Sequence, residues 1–172
     1  GSIRERVTAN LPFELTGSQS AALAEIDADM ASNQRMLRLL QGDVGSGKTI
    51  VALLAMLSAV ENGAQAALMA PTEILARQHF TTIKALLDNT DVALTLLTSR
   101  EKGAERQRIL GALEAGKVAI VVGTHALFQE EVTFRDLAFA VIDEQHRFGV
   151  FERARLVEKG PQPHLLAMTA TP

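Results

Sequence analysis

Short, uninterrupted hydrophobic runs alternate along the chain with longer stretches in which apolar residues recur every three or four positions. Continuous runs such as Val118–Val122 are typical of parallel strands whose two faces are both covered. The pattern predicts strands at Met36–Gln41, Gln65–Ala70, Val92–Thr98, Val118–Gly123, Ala138–Asp143 and Leu165–Met168. It predicts helices at Gly17–Met30, Lys48–Asn62, Glu73–Asp88 and Ala104–Ala115. This alternation predicts an α/β fold in which a parallel central sheet has right-handed crossovers and helices on both faces.

The composition is that of a folded domain without a broad nucleic-acid-binding face. Hydrophobic residues make up 47% of the 172 residues, and the net charge is -3. Because a duplex-binding module usually carries a basic face, any contact with nucleic acid should be local, or shared with other protein. The absence of Trp and Tyr argues against an aromatic platform for stacked bases. The absence of Cys excludes disulfides and thiolate chemistry.

The ends of the chain and its apolar runs predict its context. Gly1 and Ser2 resemble a remnant of expression cloning, so we treat residues 3–172 as the domain. The sequence stops at Thr169–Pro172, directly after a predicted strand, and we therefore expect a piece of a longer protein. No signal-peptide pattern or bilayer-length apolar run is present, so we expect a cytoplasmic protein with no membrane partner.

A phosphate-binding loop is predicted between the first strand and the following helix. The pattern G-x-x-x-x-G-K-[ST] is matched at every fixed position by Gly42, Asp43, Val44, Gly45, Ser46, Gly47, Lys48 and Thr49. The glycines let successive backbone amides point at phosphate oxygens, and the helix N-terminus favours an anion. Lys48 would bridge the β- and γ-phosphates, and the Thr49 hydroxyl would ligate Mg²⁺. A plain glycine turn is the alternative, which the strand–helix context disfavours.

Two carboxylates follow the fifth predicted strand. Asp143 lies just past a buried strand, where it can reach the metal side of a phosphate loop, and would hold Mg²⁺. Glu144 is suited to orienting and activating the attacking water, which favours a hydrolase over a transfer kinase. A solvated Asp-Glu turn is the alternative, and would be preferred if the phosphate loop were absent.

The ordered motifs resemble those of superfamily 2 helicases of the DExH form. The segment Gly42–Thr49 resembles motif I, Asp143–His146 resembles motif II, and Thr169–Thr171 resembles motif III. Motifs Ia and Ib are resembled by Ala70–Glu73 and Gly123–His125, and the adenine-recognising segment by Phe13, Leu15, Thr16 and Gln19. The resemblance implies a RecA-like, ATP-binding motor lobe that uses ATP and Mg²⁺ and belongs to an ATP-dependent DNA helicase.

The residues within these motifs are most similar to those of the bacterial branch-migrating helicases. The segments that carry this resemblance are Leu11–Thr16, Gln41–Thr49, Met69–Ala76 and Asp143–Val150. It implies remodelling of branched DNA, such as stalled replication forks and Holliday junctions, in recombination and repair. The transcription-repair coupling translocase is the nearest alternative, although it usually differs at Ser46 and Gln145. A nucleotide-dependent switch without translocation and a small-molecule kinase are alternatives of other classes.

The resemblance also implies roles for individual residues around the nucleotide. Gln19 would hydrogen-bond the adenine edge, and Phe13 would pack on the base. Gln145 and His146 would sense the γ-phosphate, with His146 linking towards Thr169 and Thr171. Read without the family, Gln19 is an ordinary first-turn helix residue, and a His after two carboxylates is more often a surface residue.

Contacts with one DNA strand would come from Pro71, Thr72, Gly123, Thr124 and His125. Hydroxyls and backbone amides suit phosphate contacts that carry no sequence information. Helix capping by Thr72 and Thr124 is the alternative, and both interpretations can hold together. The family places an arginine finger on a second RecA-like lobe, and its branch-migrating members have an N-terminal wedge domain. Neither is found in these residues, so we expect weak ATP binding and slow hydrolysis by this chain alone.

Overall fold

The computed structural model describes residues 2–32, 37–42, 47–143 and 163–170. Within these residues, six strands form one sheet in the order β1-β6-β5-β2-β4-β3, and every neighbouring pair is parallel. The strands are β1 (Leu37–Gly42), β2 (Gln65–Met69), β3 (Leu94–Leu97), β4 (Ile120–Gly123), β5 (Leu137–Asp143) and β6 (His164–Ala170). All the predicted strands are therefore confirmed, with shifts only at their ends.

The helices confirm the predicted positions and add two elements. They are α1 (Ile3–Ala9), α2 (Gly17–Ala31), α3 (Lys48–Glu61), α4 (Glu73–Leu86), α5 (Gly103–Glu114) and a short 3₁₀ helix (His125–Phe128). The sequence pattern did not predict α1 or the 3₁₀ helix. No helix among the described residues is both long enough and apolar enough to cross a membrane.

Both faces of the sheet are buried, as the continuous hydrophobic runs predicted. Along β2, Ala66 and Leu68 pack into one hydrophobic cluster, whereas Ala67 and Met69 pack into a second cluster. Successive side chains of a strand point to opposite faces, so the two clusters are the two sides of the sheet. The first cluster includes the apolar residues of α3, and the second includes those of α5. The sheet is therefore the middle layer of three.

Helix α1 is fixed by an arginine rather than by a wide apolar stripe. The Arg4 guanidinium donates to both carboxylate oxygens of Asp27, at 2.7 and 2.8 Å, and its Nε donates to the Leu54 carbonyl oxygen at 2.9 Å. Val7 is the buried residue of this helix. The hydroxyl of Ser2, which the sequence reading set aside as a remnant, accepts from the Glu5 amide. These contacts hold α1 against α2 and α3.

All six strands point the same way, so their carboxyl ends meet at one edge of the sheet. In the register, Gln41 of β1 pairs with Thr169 of β6, and Met168 pairs with Asp143 of β5. The start of α3 lies at this edge, beyond β1. Open α/β sheets bind their ligands at the carboxyl ends of the strands. The fold therefore brings the ends of β1, β5 and β6 together where a ligand is expected.

Candidate functional site

Helix α3 begins at the described end of the phosphate loop. Gly47 is its N-cap and has a φ of 83°, a left-handed conformation that glycine adopts at little cost. A Cβ at this position would also collide with the side-chain amide nitrogen of Gln19. The first amides of a helix have no partner within the helix, and the helix dipole makes this end attractive to an anion. The local geometry therefore requires glycine at position 47 and presents Lys48 and Thr49 in the first turn.

Lys48 reaches across the sheet edge to the neighbouring strand. Its Nζ donates to the carbonyl oxygen of Thr169 near the end of β6, at 3.0 Å. An ammonium group has three donors and can therefore hold a carbonyl and phosphate oxygens in the same site. The structure thus brings the predicted phosphate-binding lysine into direct contact with a residue of the predicted coupling segment.

Thr49 and Asp143, the two predicted magnesium ligands, are joined by a histidine that the sequence reading did not assign to the site. His79, in the middle of α4, lies with its Nε2 2.7 Å from Oδ2 of Asp143. Its Nδ1 lies 3.4 Å from the Thr49 hydroxyl oxygen. The side chains of His79 and Asp143 are only 13% and 14% exposed. One imidazole ring therefore spans the gap between the end of β5 and the first turn of α3.

These residues fit a magnesium ion that is bound mainly through a nucleotide. Mg²⁺ prefers oxygen ligands, and in phosphate-transfer sites it is held by one or two protein oxygens together with phosphates and waters. Thr49 offers a hydroxyl oxygen, and Asp143 offers a carboxylate that is already largely enclosed. Across the described stretches, no group of three or more acidic, His or Cys side chains converges on one point. The donor set there suits a shared protein–phosphate site rather than an all-protein cage.

Gln19 has a structural role that its spacing from Thr16 could have revealed. The Thr16 hydroxyl accepts from the Gln19 amide at 3.1 Å, and the Gln19 side-chain oxygen accepts from the Thr16 amide at 2.8 Å. This reciprocal pair is a capping box at the start of α2, for which T-x-x-Q is the sequence signature. Its side-chain nitrogen lies beside Gly47. The capping box fixes Gln19 next to the phosphate loop.

Phe13 lies on the segment that precedes α2. Its side chain is 46% exposed, which leaves free surface for packing against a base. It lines an open hollow of about 610 Å³ together with Thr8, Ala9, Leu11, Pro12, Glu14, Leu15 and Ser20. The structure thus places an exposed aromatic ring close in the chain to Gln19, which is compatible with the predicted adenine site.

The two threonines proposed for DNA contact both cap helices. The Thr72 hydroxyl accepts from the Leu75 amide at 3.2 Å at the start of α4. The Thr124 hydroxyl accepts from the Ala126 amide at 3.4 Å before the 3₁₀ helix. Thr124 is 5% exposed, whereas Thr72 and His125 are exposed. The capping interpretation is confirmed for both threonines, and Thr72 and His125 retain surface for a further partner.

A polar network ties the start of α4 to the end of β3. The Glu73 carboxylate accepts from the Thr98 hydroxyl at 2.9 Å and forms ion pairs with Arg77 and Arg100, both at 3.1 Å. Glu101 is buried and accepts from the Thr98 amide at 2.9 Å. Desolvation alone would raise the pKa of Glu73, but the hydrogen bonds from Thr98 and Arg77 and the nearby arginine charges outweigh it and lower the pKa. The network fixes the loop that carries Thr72.

Several predicted site residues lie outside the described residues. They are Asp43, Val44, Gly45 and Ser46 of the phosphate loop, Glu144, Gln145 and His146 after β5, and Thr171. Of the other predicted residues, Gly42 ends β1, and Gly123 ends β4, where a Cβ would collide with the Leu97 carbonyl oxygen. Pro71 lies between β2 and α4. The sheet edge thus brings Lys48, Thr49, Asp143 and Thr169 together.

Comparison with known proteins identifies relatives over nearly the whole chain. The model of the DEAD/DEAH box helicase family matches residues 16–172. The chain is 54% identical to the ATP-dependent DNA helicase RecG of Bacillus subtilis over 97% of its length, and 51% identical to RecG of Haemophilus influenzae over 99%. A solved structure of RecG bound to a three-way DNA junction matches 98% of the chain, with 45% identity and a TM-score of 0.87. The chain spans about a quarter of the curated relatives' length (24% and 25%) and 22% of that solved chain.

Proposed function

This chain belongs to the DEAD/DEAH box helicase family, and from that premise we propose that it is the first RecA-like, ATP-binding motor lobe of an ATP-dependent DNA helicase. We propose further that the helicase remodels branched DNA in recombination and repair, as the similarity to RecG suggests. In this proposal the lobe extends over residues 3–172 and works with a second RecA-like lobe and an N-terminal wedge domain of the same longer protein.

One observation carries the nucleotide part of the proposal. Lys48 and Thr49 begin α3 and Asp143 ends β5, and two hydrogen-bonded links, through Thr169 and through His79, hold these ends at one sheet edge. A hydroxyl and a carboxylate beside a phosphate-binding helix N-terminus are what a magnesium–triphosphate site needs. The glycine at position 47 and the start of α3 support the same assignment.

Each residue then has a distinct proposed role. The loop amides and Lys48 hold the phosphates, and Thr49 and Asp143 hold Mg²⁺. The metal, when bound, would neutralise charge on the transferring phosphoryl group. Glu144 would accept a proton from the attacking water, while Gln145 and His146 would contact the γ-phosphate. Gln19 and Phe13 would recognise the adenine base.

The contact between Lys48 and Thr169 supports a coupling role for the end of β6. In this proposal the ammonium lies between the phosphates and the Thr169 carbonyl, so occupancy of the site alters the position of β6's end. Thr171 would extend the link towards His146. In this proposal the link has one arrangement with nucleotide and another without it, and DNA would bias the same equilibrium.

The DNA part of the proposal uses the same edge of the sheet. Pro71, Thr72, Gly123, Thr124 and His125 would face the backbone of one strand, with Thr72 and His125 offering exposed polar atoms. The net charge of -3 fits contacts of this local kind better than a broad basic face. Recognition of phosphates rather than base edges suits a motor that works on any sequence.

The sharpest test of the nucleotide roles compares two variants of the full-length protein. Lys48→Ala should weaken ATP binding because it removes a phosphate partner. Glu144→Gln should keep ATP binding and stall hydrolysis, because the amide cannot take the proton. Lys84→Ala, at the far end of α4, is the matched charge-loss control and should change neither. Equal loss of binding in Lys48→Ala and Glu144→Gln would contradict the assigned roles.

The DNA role is tested by adding forked or four-way DNA to the full-length protein and measuring phosphate release. We expect strong stimulation, and none would favour a switch module that does not translocate. The chain alone should hydrolyse ATP slowly, because the proposed arginine finger lies on the second lobe and such fingers contribute about 10³–10⁵ in rate. Rapid DNA-stimulated turnover by the chain alone would overturn the two-lobe proposal.

A further inference from the structure

His79 has both ring nitrogens at the two proposed magnesium ligands. Nε2 lies 2.7 Å from Oδ2 of Asp143, and Nδ1 lies 3.4 Å from the Thr49 hydroxyl oxygen. We propose that His79 is a positioning residue for magnesium: it holds the Asp143 carboxylate and the Thr49 hydroxyl in the orientations that bind the metal. This inference rests on the proposed function, because it concerns the same nucleotide site.

A single neutral form of the ring satisfies both contacts. A carboxylate only accepts hydrogen bonds, so Nε2 carries the proton and donates to Asp143. In that tautomer Nδ1 is an acceptor, and its partner Thr49 has a hydroxyl proton to donate. This one tautomer serves both contacts and leaves neither ring nitrogen without a partner.

The direction of the Thr49 proton matters for metal binding. A hydroxyl that ligates a cation must turn a lone pair to the metal and its proton away from it. Nδ1 of His79, 3.4 Å from the hydroxyl oxygen, provides an acceptor for that proton. The ring thereby favours the hydroxyl rotamer that presents oxygen to the metal.

The contact with Asp143 restricts the carboxylate in the same way. Its Oδ2 accepts from His79, which leaves Oδ1 for the metal or for a metal-bound water. Both side chains are largely enclosed, at 13% and 14% exposure, so water competes weakly for this hydrogen bond. Groups that hydrogen-bond to metal ligands commonly raise metal affinity or activity by roughly 10–100-fold.

His79 also connects the metal site to another part of the proposed motor. It sits on α4, which begins directly after the capping residue Thr72. The start of this helix is fixed to the end of β3 by the Glu73 network. A positioning residue on α4 therefore ties the metal ligands to the helix that carries a proposed DNA contact.

The test measures metal dependence of nucleotide binding rather than turnover. A fluorescent ATP analogue is titrated into the chain in EDTA, and then Mg²⁺ is titrated into the complex. His79→Ala should raise the Mg²⁺ concentration at half-saturation by about 10–100-fold. Its affinity for the metal-free analogue should equal that of the unaltered chain, since the described contacts of His79 are with the two proposed metal ligands. His79→Gln, whose amide can donate to Asp143, should recover part of the loss.

Two further variants make the result decisive. Thr82→Ala alters an exposed position of the same helix and should leave the Mg²⁺ midpoint unchanged, whereas Thr49→Ala should raise the midpoint because it removes a proposed metal ligand. If His79→Ala unfolds, the comparison moves to His79→Gln against His79→Leu, and the amide must then bind Mg²⁺ more tightly. An unchanged midpoint in His79→Ala would overturn this inference while leaving the proposed function intact. A chain without any Mg²⁺-dependent gain in nucleotide affinity would overturn the proposed function itself.

Discussion

Replacing Gly47 by alanine should damage the protein through two separable effects. The first is conformational, because the residue has a φ of 83°, where an L side chain is strained. The second is a collision, because the new Cβ would overlap the side-chain amide nitrogen of Gln19. Gly63 has almost the same φ, 82°, but an added Cβ there meets nothing within 4 Å. Gly63→Ala therefore isolates the conformational cost.

The magnitudes follow from these two terms. Holding a non-glycine residue in the left-handed backbone conformation costs about 1–2 kcal/mol. Gly63→Ala should therefore lower the free energy of unfolding by about that amount. In Gly47→Ala the collision also displaces Gln19, whose side-chain oxygen accepts from the Thr16 amide in the capping box. The Thr16 hydroxyl still accepts from the Gln19 amide, so only this one hydrogen bond is lost, at a cost of about 0.5–1.5 kcal/mol. We therefore expect Gly47→Ala to cost about 1.5–3.5 kcal/mol in total.

Urea unfolding of Gly47→Ala, Gln19→Ala and the double variant separates the terms. Once Gln19 is truncated, the collision is absent, so Gly47→Ala should cost only what Gly63→Ala costs. The coupling between the two positions should be about 0.5–1.5 kcal/mol. Strict additivity, or equal costs for Gly47→Ala and Gly63→Ala in the unaltered background, would show that Gln19 does not pack against the phosphate loop as described.

Two further predictions concern elements at the same sheet edge. Glu73→Gln should lower stability near neutral pH, because the pKa of Glu73 is lowered from its ordinary 4.5. The stability that this carboxylate contributes is fully present above about pH 4.5 and is lost as the pH falls through its folded-state pKa. The difference in unfolding free energy between the variant and the unaltered chain, measured by urea unfolding, should therefore shrink on acidification. A deficit that grew on acidification would contradict this. Gly123→Ala should cost about 1–3 kcal/mol, because its Cβ would press on the Leu97 carbonyl and force β3 away from β4. Gly111→Ala, in open space on α5, is the control and should be neutral or stabilising by about 0.5–1 kcal/mol.

The parallel sheet could be predicted because its strands are buried on both faces. A strand such as β4 shows its position through an unbroken apolar run, and α3 shows the same all-round burial as a helix. The capping box at Thr16 and Gln19 carries its own signature, so the start of α2 and the structural role of Gln19 follow from local sequence. Where the structure depends on local sequence, a single sequence is enough to predict it.

The remaining features depend on contacts between distant residues. Helix α1 is short, buries only Val7 and is fixed by Arg4 pairing with Asp27, so no hydrophobic period reveals it. His79 falls on the apolar stripe of α4, where a histidine is indistinguishable from a satisfied core residue. Its contact with Asp143 joins residues 64 positions apart. The packing of α4 against the sheet places this side chain beside Asp143 and Thr49, the proposed magnesium ligands.

We propose that the loop before α3 binds a triphosphate while Thr49 and Asp143 hold its magnesium. The most direct test maps the backbone amide resonances of the chain as Mg²⁺ and a non-hydrolysable ATP analogue are added. We predict that the largest shifts fall at residues 43–49 and at Asp143, and that Lys48→Ala greatly reduces them. Shifts centred elsewhere on the molecule, or no shifts at saturating nucleotide, would contradict the account.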